Sequence, residues 1–304
     1  PNPDPDPDPD PDPELPFKLR KHQKEALKSW KNSDYKGILA LATGSGKTIT
    51  AIHAAVKISQ SLAKQNKSLS VVIAVPYVVL ADQWVDVLSK YNITPIKCYG
   101  SVKNWYGELS NEVHSFNLPN KKLLVMVVVN ATLKRSNFQE LLNTIKINNN
   151  KQIFMISDEC HHHAIKSLVE TKLPKAQYIM GLSATPWSKE DQESQAILKS
   201  YYGDIVAEYT LDDALNDGIL CPYSYHIHEV SMNHPEEEIY LKLTNQISAM
   251  YAKKMDQGLS AEERKMLEFL LFKRARHLDA IEDKFETLGK ILATKKPAPY
   301  KLFY

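Results

Sequence analysis

A glycine loop between an apolar run and a predicted helix constrains this chain most. Residues 38–42 read Ile-Leu-Ala-Leu-Ala, and Thr-Gly-Ser-Gly follows at 43–46. Such a loop turns several backbone N–H groups toward one point at the positive end of the next helix, so it binds an anion. Glycine is needed at 44 and 46 because a Cβ there would block the anion or demand a strained φ.

The two residues after the loop indicate which anion it binds. Lys47 supplies a point charge for the β- and γ-phosphates of a nucleotide, and Thr48 offers a hydroxyl to Mg²⁺. Leu41 stands where the strict pattern has a glycine. We therefore predict a site for ATP and Mg²⁺. The residues expected to hold the nucleotide are Thr43, Gly44, Ser45, Gly46, Lys47 and Thr48.

Apolar runs alternate with helical patterns along the first two thirds of the chain. This alternation predicts an α/β fold, a parallel sheet with helices on both faces whose ligands bind at the carboxyl ends of the strands. After the apolar run at 38–42, strands are predicted at residues 71–75, 123–129, 152–157 and 178–182, with a weaker one at 96–99. Helices are predicted at 15–30, 48–65, 80–90, 105–113 and 131–145.

Polar residues follow two of these strands directly. Asp158 and Glu159 come after the strand at 152–157, and Ser183 and Thr185 after the strand at 178–182. A nucleotide hydrolase needs one carboxylate for Mg²⁺ and a second to orient and deprotonate the attacking water. We assign Asp158 to the metal and Glu159 to the water. The two hydroxyl residues are suited to sensing the γ-phosphate, although an ordinary strand-end turn explains them equally well in isolation.

Three histidines at 161–163 follow the acid pair and invite a metal interpretation. Consecutive residues cannot all face one ion, and no matching cluster of Cys or His lies nearby in sequence. We expect His161 to relay between the nucleotide and neighbouring segments. His162 and His163 are expected to be polar loop residues.

Arg20 and Gln23 lie in the predicted helix before the first strand. A carboxamide can pair with the N6/N7 edge of adenine, and a guanidinium can lie on the adenine face. In isolation, the segment would favour two surface polar residues.

The ends of the chain differ from its middle. Residues 1–14 alternate proline with acidic residues, which predicts a disordered linker or tail, attached to an upstream domain. They carry six acidic side chains and no base, so the remaining chain has a net charge of +8 and suits a polyanionic partner. Three scattered cysteines and the absence of a secretory leader or apolar span predict a cytoplasmic protein without disulfides.

The last third departs from the βα alternation. We predict a strand at 222–230, helices from 233 onward and a strand beginning at 300–304. Apolar residues from Leu267 to Leu292 follow a 4-3 spacing, which fits either a coiled coil or, more readily, packing against a domain body.

Taken in order, these motifs resemble those of a superfamily 2 helicase. Arg20-x-x-Gln23 resembles its adenine motif, residues 42–48 its motif I, residues 158–161 its motif II and residues 182–186 its motif III. Pro76, Gln83 and Trp84 look like motif Ia and Thr132 like the next strand-contacting motif, so the resemblance implies that these four bind nucleic acid. Asn130 departs from the threonine or tyrosine usual there. The doubled histidine after Asp-Glu-Cys-His and the segments near 202–204 and 221–223 resemble the motor subunits of type I and type III restriction enzymes, with the RNA-sensing branch as the runner-up.

The resemblance implies an ATP-dependent DNA helicase or translocase with two RecA-like lobes and ATP bound between them. The first lobe is expected at 15–210, and residues 211–304 hold a linker, a helical segment and the start of a truncated second lobe. Since the arginine fingers of that lobe are not among these residues, the 304 residues alone are expected to turn ATP over weakly. An RNA-duplex-dependent ATPase, a kinase and a nucleotide-binding scaffold without hydrolysis remain the alternatives.

Overall fold

The computed structural model describes residues 15–118, 121–145, 150–187, 191–222, 224, 226–256 and 258–294. The linker predicted at 1–14 and the strand predicted at 300–304 lie outside the described residues. The chain divides into two compact units after Pro222, so the first unit extends beyond residue 210.

A seven-stranded parallel sheet forms the first unit, with strand order β3-β4-β2-β5-β6-β1-β7. The strands are β1 (Lys36–Leu41), β2 (Ser68–Val75), β3 (Ile96–Cys98), β4 (Leu123–Val129), β5 (Lys151–Asp158), β6 (Tyr178–Ser183) and β7 (Ile205–Tyr209). The predicted parallel sheet is therefore confirmed.

Nine α-helices belong to the described part of this unit. They are α1 (Lys21–Asn32), α2 (Lys47–Lys64), α3 (Val78–Ser89), α4 (Val102–Asn117), α5 (Asn130–Leu133), α6 (Ser136–Thr144), α7 (Lys166–Thr171), α8 (Gln192–Tyr202) and α9 (Leu211–Asn216). A 3₁₀ turn spans Cys160–His163. Alternate strand residues enter two apolar cores on opposite faces of the sheet: Val71 and Ile73 pack with α2 and α3 on one face, and Val72 and Ala74 pack with α4 and α6 on the other.

Two predictions for this unit need correction. The single helix predicted at 131–145 is split into α5 and α6, because Arg135 between them has an extended backbone. Strand β7 was not predicted. It is an edge strand that pairs only with β1. Residues 205–207 are half-buried and Glu208 is exposed, so the strand lacks a continuous buried run.

The second unit is helical in its described part. Its helices are α10 (His234–Asp256), α11 (Ala261–Asp279) and α12 (Glu282–Thr294). Five buried side chains form its core: Leu243, Ile247, Leu259, Leu267 and Leu270.

One prediction for the second part of the chain is wrong, and the less favoured of two interpretations is excluded. The strand predicted at 222–230 does not form at the described positions of that range. The coiled-coil interpretation fails because the 4-3 pattern is interrupted between α11 and α12, where Ile281 is buried, while Phe285 further along it is 64% exposed. Among the described residues, none of the helices has the length and apolarity that a membrane span requires.

Candidate nucleotide site

The loops after three neighbouring strands meet at the carboxyl edge of the sheet. Strands β5, β6 and β1 are adjacent, with Asp158 in register with Leu182 and Ser183 in register with Ala40. The phosphate loop, residues 43–48, follows β1, and the acid turn, residues 158–163, begins at the last residue of β5. Segments far apart in sequence are thereby brought to one place.

The phosphate loop has the backbone that its glycines predict. Gly44 and Gly46 have φ angles of 79° and 91°, in the left-handed region that L side chains rarely adopt. Lys47 begins α2, and its ammonium group donates a hydrogen bond to the Leu41 carbonyl at 3.1 Å. Leu41 is the last residue of β1 and pairs with Tyr209 of β7, so the departure from the strict motif falls on the strand rather than on the loop.

Helix α1 braces this loop from behind through Gln23. The side-chain amide of Gln23 donates to the carbonyl oxygens of Ser45 at 3.3 Å and Gly46 at 3.1 Å, and its oxygen accepts from the Arg20 N–H at 2.8 Å. A Cβ at position 46 would lie 2.5 Å from the Gln23 nitrogen, which gives a second reason for glycine there. The structure thus places Gln23, 3% exposed, beneath the loop, while the Arg20 side chain is exposed. Their contacts with adenine stay a prediction.

His22 is a second brace, which the sequence did not reveal. Its Nε2 lies 3.0 Å from the Ser45 carbonyl oxygen and donates to it, because a carbonyl can only accept. Its ring stacks on Tyr209 of β7 with a centroid distance of 4.0 Å and an interplanar angle of 13°. Residues 22 and 209 are too far apart in sequence for any local pattern to connect them.

In the acid turn, Asp158 is almost fully buried and both of its oxygens are engaged. The indole N–H of Trp84 donates to Oδ2 at 2.8 Å, and the backbone N–H of Glu159 donates to Oδ1 at 3.0 Å. Burial raises the pKa of Asp158, and the Trp84 hydrogen bond and the Lys47 charge oppose that rise. Because only β6 separates β5 from β1, the acid turn and the phosphate loop lie at the same edge of the sheet.

The four residues expected to bind nucleic acid do not share one surface. Trp84 and Thr132 are 1% and 2% exposed, so direct contact with a polyanion is excluded for both as they stand. Trp84 points inward to Asp158, and Thr132 lies in the buried side of α5. Gln83 is exposed and Pro76 half-buried, so these two remain candidates for that contact.

Glu159 and His161 are half-buried residues of the acid turn. Glu159 has a φ of 46°, a left-handed conformation that costs a non-glycine residue about 1–2 kcal/mol. Nδ1 of His161 lies 3.4 Å from a Glu159 carboxylate oxygen and 3.0 Å from the Ser183 hydroxyl, which also accepts from the Thr185 N–H at 3.2 Å. Partial burial and the neighbouring His162 lower the pKa of His161, and the Glu159 and Asp158 carboxylates oppose that shift.

His163 is not the polar loop residue that we expected. It is fully buried, with Nε2 2.8 Å from the Asn130 side-chain oxygen and Nδ1 2.6 Å from the Tyr202 hydroxyl. That hydroxyl lies 2.7 Å from the hydroxyl of Ser157, the residue before Asp158. Asn130, the departure noted in the sequence, is therefore the partner of His163. Burial lowers the pKa of His163 to about 3.

The residues present fit a nucleotide with Mg²⁺ better than a protein-only metal site. No group of three His, Cys, Asp or Glu side chains within the described ranges could hold a metal ion. A nucleotide-bound Mg²⁺ needs only one or two protein oxygens because phosphates and water complete its shell. Thr48, at the start of α2, and Asp158, with one lone pair free on each oxygen, are such donors.

Solved structures with the same fold include restriction-modification enzymes. A nuclease-deletion mutant of the type ISP restriction-modification enzyme LlaGI, in complex with a DNA substrate mimic, is 21% identical with a TM-score of 0.51, covering 86% of this chain and 26% of LlaGI. The ATP-dependent type ISP enzyme LlaBIII, bound to DNA, is 22% identical with a TM-score of 0.51, covering 69% of this chain and 16% of LlaBIII. This chain thus spans about a quarter of the length of LlaGI and a smaller share of the length of LlaBIII. At such identities the likeness establishes the RecA-like fold.

A family model supplies the assignment that fold alone cannot. No curated protein matches this sequence. The model described as the res subunit of type III restriction enzymes matches residues 16–188, a segment that contains the phosphate loop, the acid turn and Ser183. Because this match covers more than half of the chain, the chain belongs to the family of type III restriction enzyme res subunits, within the superfamily 2 helicases.

Proposed function

We propose that this chain is the ATP-binding lobe of a motor that hydrolyses ATP to move along or open double-stranded DNA. The observation that carries the proposal is that the phosphate loop after β1 and the acid turn at the end of β5 lie at the same edge of the sheet, with only β6 between the two strands. Phosphoryl transfer requires a cation for the phosphates and a carboxylate for Mg²⁺, and Lys47 and Asp158 are the proposed donors of these groups. The family assignment supports this chemistry.

Each residue of the site has a separate role in this proposal. The N–H groups of the phosphate loop and Lys47 hold the β- and γ-phosphates, and Thr48 and Asp158 hold Mg²⁺. When bound, Mg²⁺ helps to neutralise the charge that develops on the phosphates. Glu159 orients the attacking water and accepts its proton. His161, whose Nδ1 lies 3.0 Å from the Ser183 hydroxyl, connects this base to β6. The Thr185 N–H donates a hydrogen bond to the same hydroxyl.

Double-stranded DNA is the proposed track. The residues after position 14 carry a net charge of +8, which suits a phosphate backbone. The solved structures of LlaGI and LlaBIII contain a DNA substrate mimic and DNA, respectively. The exposed Gln83 and the adjacent Pro76 are proposed contacts. We further propose that the motor is cytoplasmic and that residues 1–14 join it to an upstream domain.

The test is ATP hydrolysis by the full-length protein with duplex DNA, single-stranded DNA and duplex RNA at several salt concentrations. Duplex DNA should stimulate most, and its binding should weaken steeply with salt, since phosphate contacts release counterions. If duplex RNA stimulates hydrolysis as much as duplex DNA does, the chain belongs instead with the RNA-sensing ATPases. Nucleotide binding without hydrolysis on any nucleic acid would leave only a scaffold.

A further inference from the structure

Trp84 joins a surface segment to the buried carboxylate of the acid turn. Its side chain is 1% exposed, and its Nε1–H lies 2.8 Å from Asp158 Oδ2. We propose that Trp84 is a positioning residue for the metal-binding carboxylate and that it transmits contacts made on α3 to the nucleotide site. This inference rests on the proposed function, because it gives Asp158 the role of a Mg²⁺ ligand.

The chemistry of the indole suits that position. Its Nε1–H donates one hydrogen bond and accepts none, so it neither binds a metal nor neutralises a carboxylate as lysine or arginine would. With the Glu159 N–H on Oδ1 at 3.0 Å, both oxygens are fixed and each keeps a lone pair for Mg²⁺ or its water. Rotation of the Asp158 carboxylate would break one of these two hydrogen bonds.

The other side of the same segment is exposed. Tyr77 and Val79, immediately after β2, are 60% and 68% exposed, and Gln83 is exposed beside Trp84. Helix α3 begins at Val78, so a partner bound to residues 76–83 touches the helix that carries the indole. A shift of α3 by a fraction of an ångström changes the Trp84–Asp158 distance directly.

The chain offers a matched control for this hydrogen bond. Trp30 is 2% exposed, and its Nε1–H donates to the Ile179 carbonyl at 2.8 Å. Trp30→Phe and Trp84→Phe therefore each remove one buried indole hydrogen bond of the same length. Only the second leaves a carboxylate of the proposed site without its donor.

The experiment measures binding of a fluorescent, non-hydrolysable ATP analogue to the full-length protein in a Mg²⁺ titration and in EDTA. Trp84→Phe should need about tenfold more Mg²⁺ for half-maximal binding, with affinity in EDTA within about twofold of the parent. Trp30→Phe should match the parent in both. An unchanged Mg²⁺ requirement in Trp84→Phe would overturn the inference while leaving the proposed function intact. A parent that fails to bind the analogue would overturn both.

A second measurement follows Trp84 without substituting it. The chain has four tryptophans, so labelling with 5-fluorotryptophan gives one ¹⁹F signal for each in this part of the protein. Phenylalanine variants at Trp30, Trp105 and Trp187 assign the signal of Trp84 by elimination. That signal should shift when Mg²⁺ and the analogue are added and shift again with duplex DNA, while the Trp30 signal stays. A Trp84 signal that does not move as the analogue saturates the parent contradicts the inference.

Discussion

The phosphate loop and the acid turn lie side by side, but they are held in opposite ways. In the phosphate loop, Gln23 and His22 hold backbone carbonyl oxygens of Ser45 and Gly46. In the acid turn, Trp84 holds a side-chain carboxylate. The phosphate loop is proposed to bind phosphate through its N–H groups, so the supporting side chains hydrogen-bond to its carbonyl oxygens. The acid turn is proposed to work through its carboxylates, so the supporting groups donate hydrogen bonds to a carboxylate.

The two segments also differ in backbone conformation. Gly44 and Gly46 adopt positive φ without steric cost, but Glu159 adopts a φ of 46° with a full side chain. Its carboxylate is the proposed base, so glycine cannot replace it. A loop that works through its backbone can be built from glycine, and a loop that works through a side chain must accept strain.

Removal of the phosphate-loop cation should have the largest effect on binding. Lys47→Ala in the full-length protein should weaken ATP binding by about 100-fold, since a charged hydrogen bond to phosphate is lost. The exposed Lys57, on the same helix, is the control, and Lys57→Ala should bind ATP like the parent. If Lys47→Ala binds ATP within about twofold of the parent affinity, the phosphate loop is not the ATP site.

Loss of the brace should have a smaller effect on the same loop. Gln23→Ala frees two carbonyls and the loop backbone, so ATP should bind about tenfold more weakly. Gln139 matches it: its buried amide also donates to two carbonyls, of Leu133 at 2.6 Å and Lys172 at 3.1 Å, away from the site. Both variants should lose thermal stability, but only Gln23→Ala should lose affinity. Equal affinity in the two variants would show that the brace is structural alone.

A third prediction concerns stability rather than binding. Because burial lowers the pKa of His163 to about 3, the unfolded chain binds a proton that the folded chain excludes. Stability from this group is present above the ordinary histidine pKa of about 6.5 and is lost as pH falls toward 3. Urea unfolding of the 304-residue chain between these limits should therefore be less pH-dependent in His163→Gln.

The adjacent histidine is the control for this titration. His162 is exposed and its ring touches Tyr77 edge-on, so His162→Gln should keep the pH dependence of the parent. If lowering the pH reduces the unfolding free energy of His163→Gln as steeply as that of the parent, a neutral, buried His163 is contradicted.

The sequence predicted the working residues better than their supports. Glycine spacing and strand-end acids act locally, so the phosphate loop, the parallel sheet and the proximity of Lys47 to Asp158 could all be predicted. The supports come from other elements: His22 from α1, Trp84 from α3 and Tyr202 from α8. These residues reach the site because of the order of the strands in the sheet, and local sequence patterns do not predict that order.

The errors have the same origin. Motif resemblance placed Trp84 at the nucleic acid, yet the inward side of α3 carries it to Asp158. His162 and His163 were both expected to be polar loop residues, but His162 contacts Tyr77, whereas His163 is buried with Asn130 and Tyr202 as its partners. Burial depends on which side of a short turn a residue occupies, and one residue of displacement changes it completely.

The central claim is that the phosphate loop binds ATP and the acid turn hydrolyses it. Glu159→Gln tests it most directly, because the amide keeps the shape of the side chain and removes the base. In the full-length protein with duplex DNA, this variant should bind ATP like the parent and hydrolyse it about 100-fold more slowly or worse. Hydrolysis at the parent rate would show that Glu159 is not the base and that the acid turn has another role.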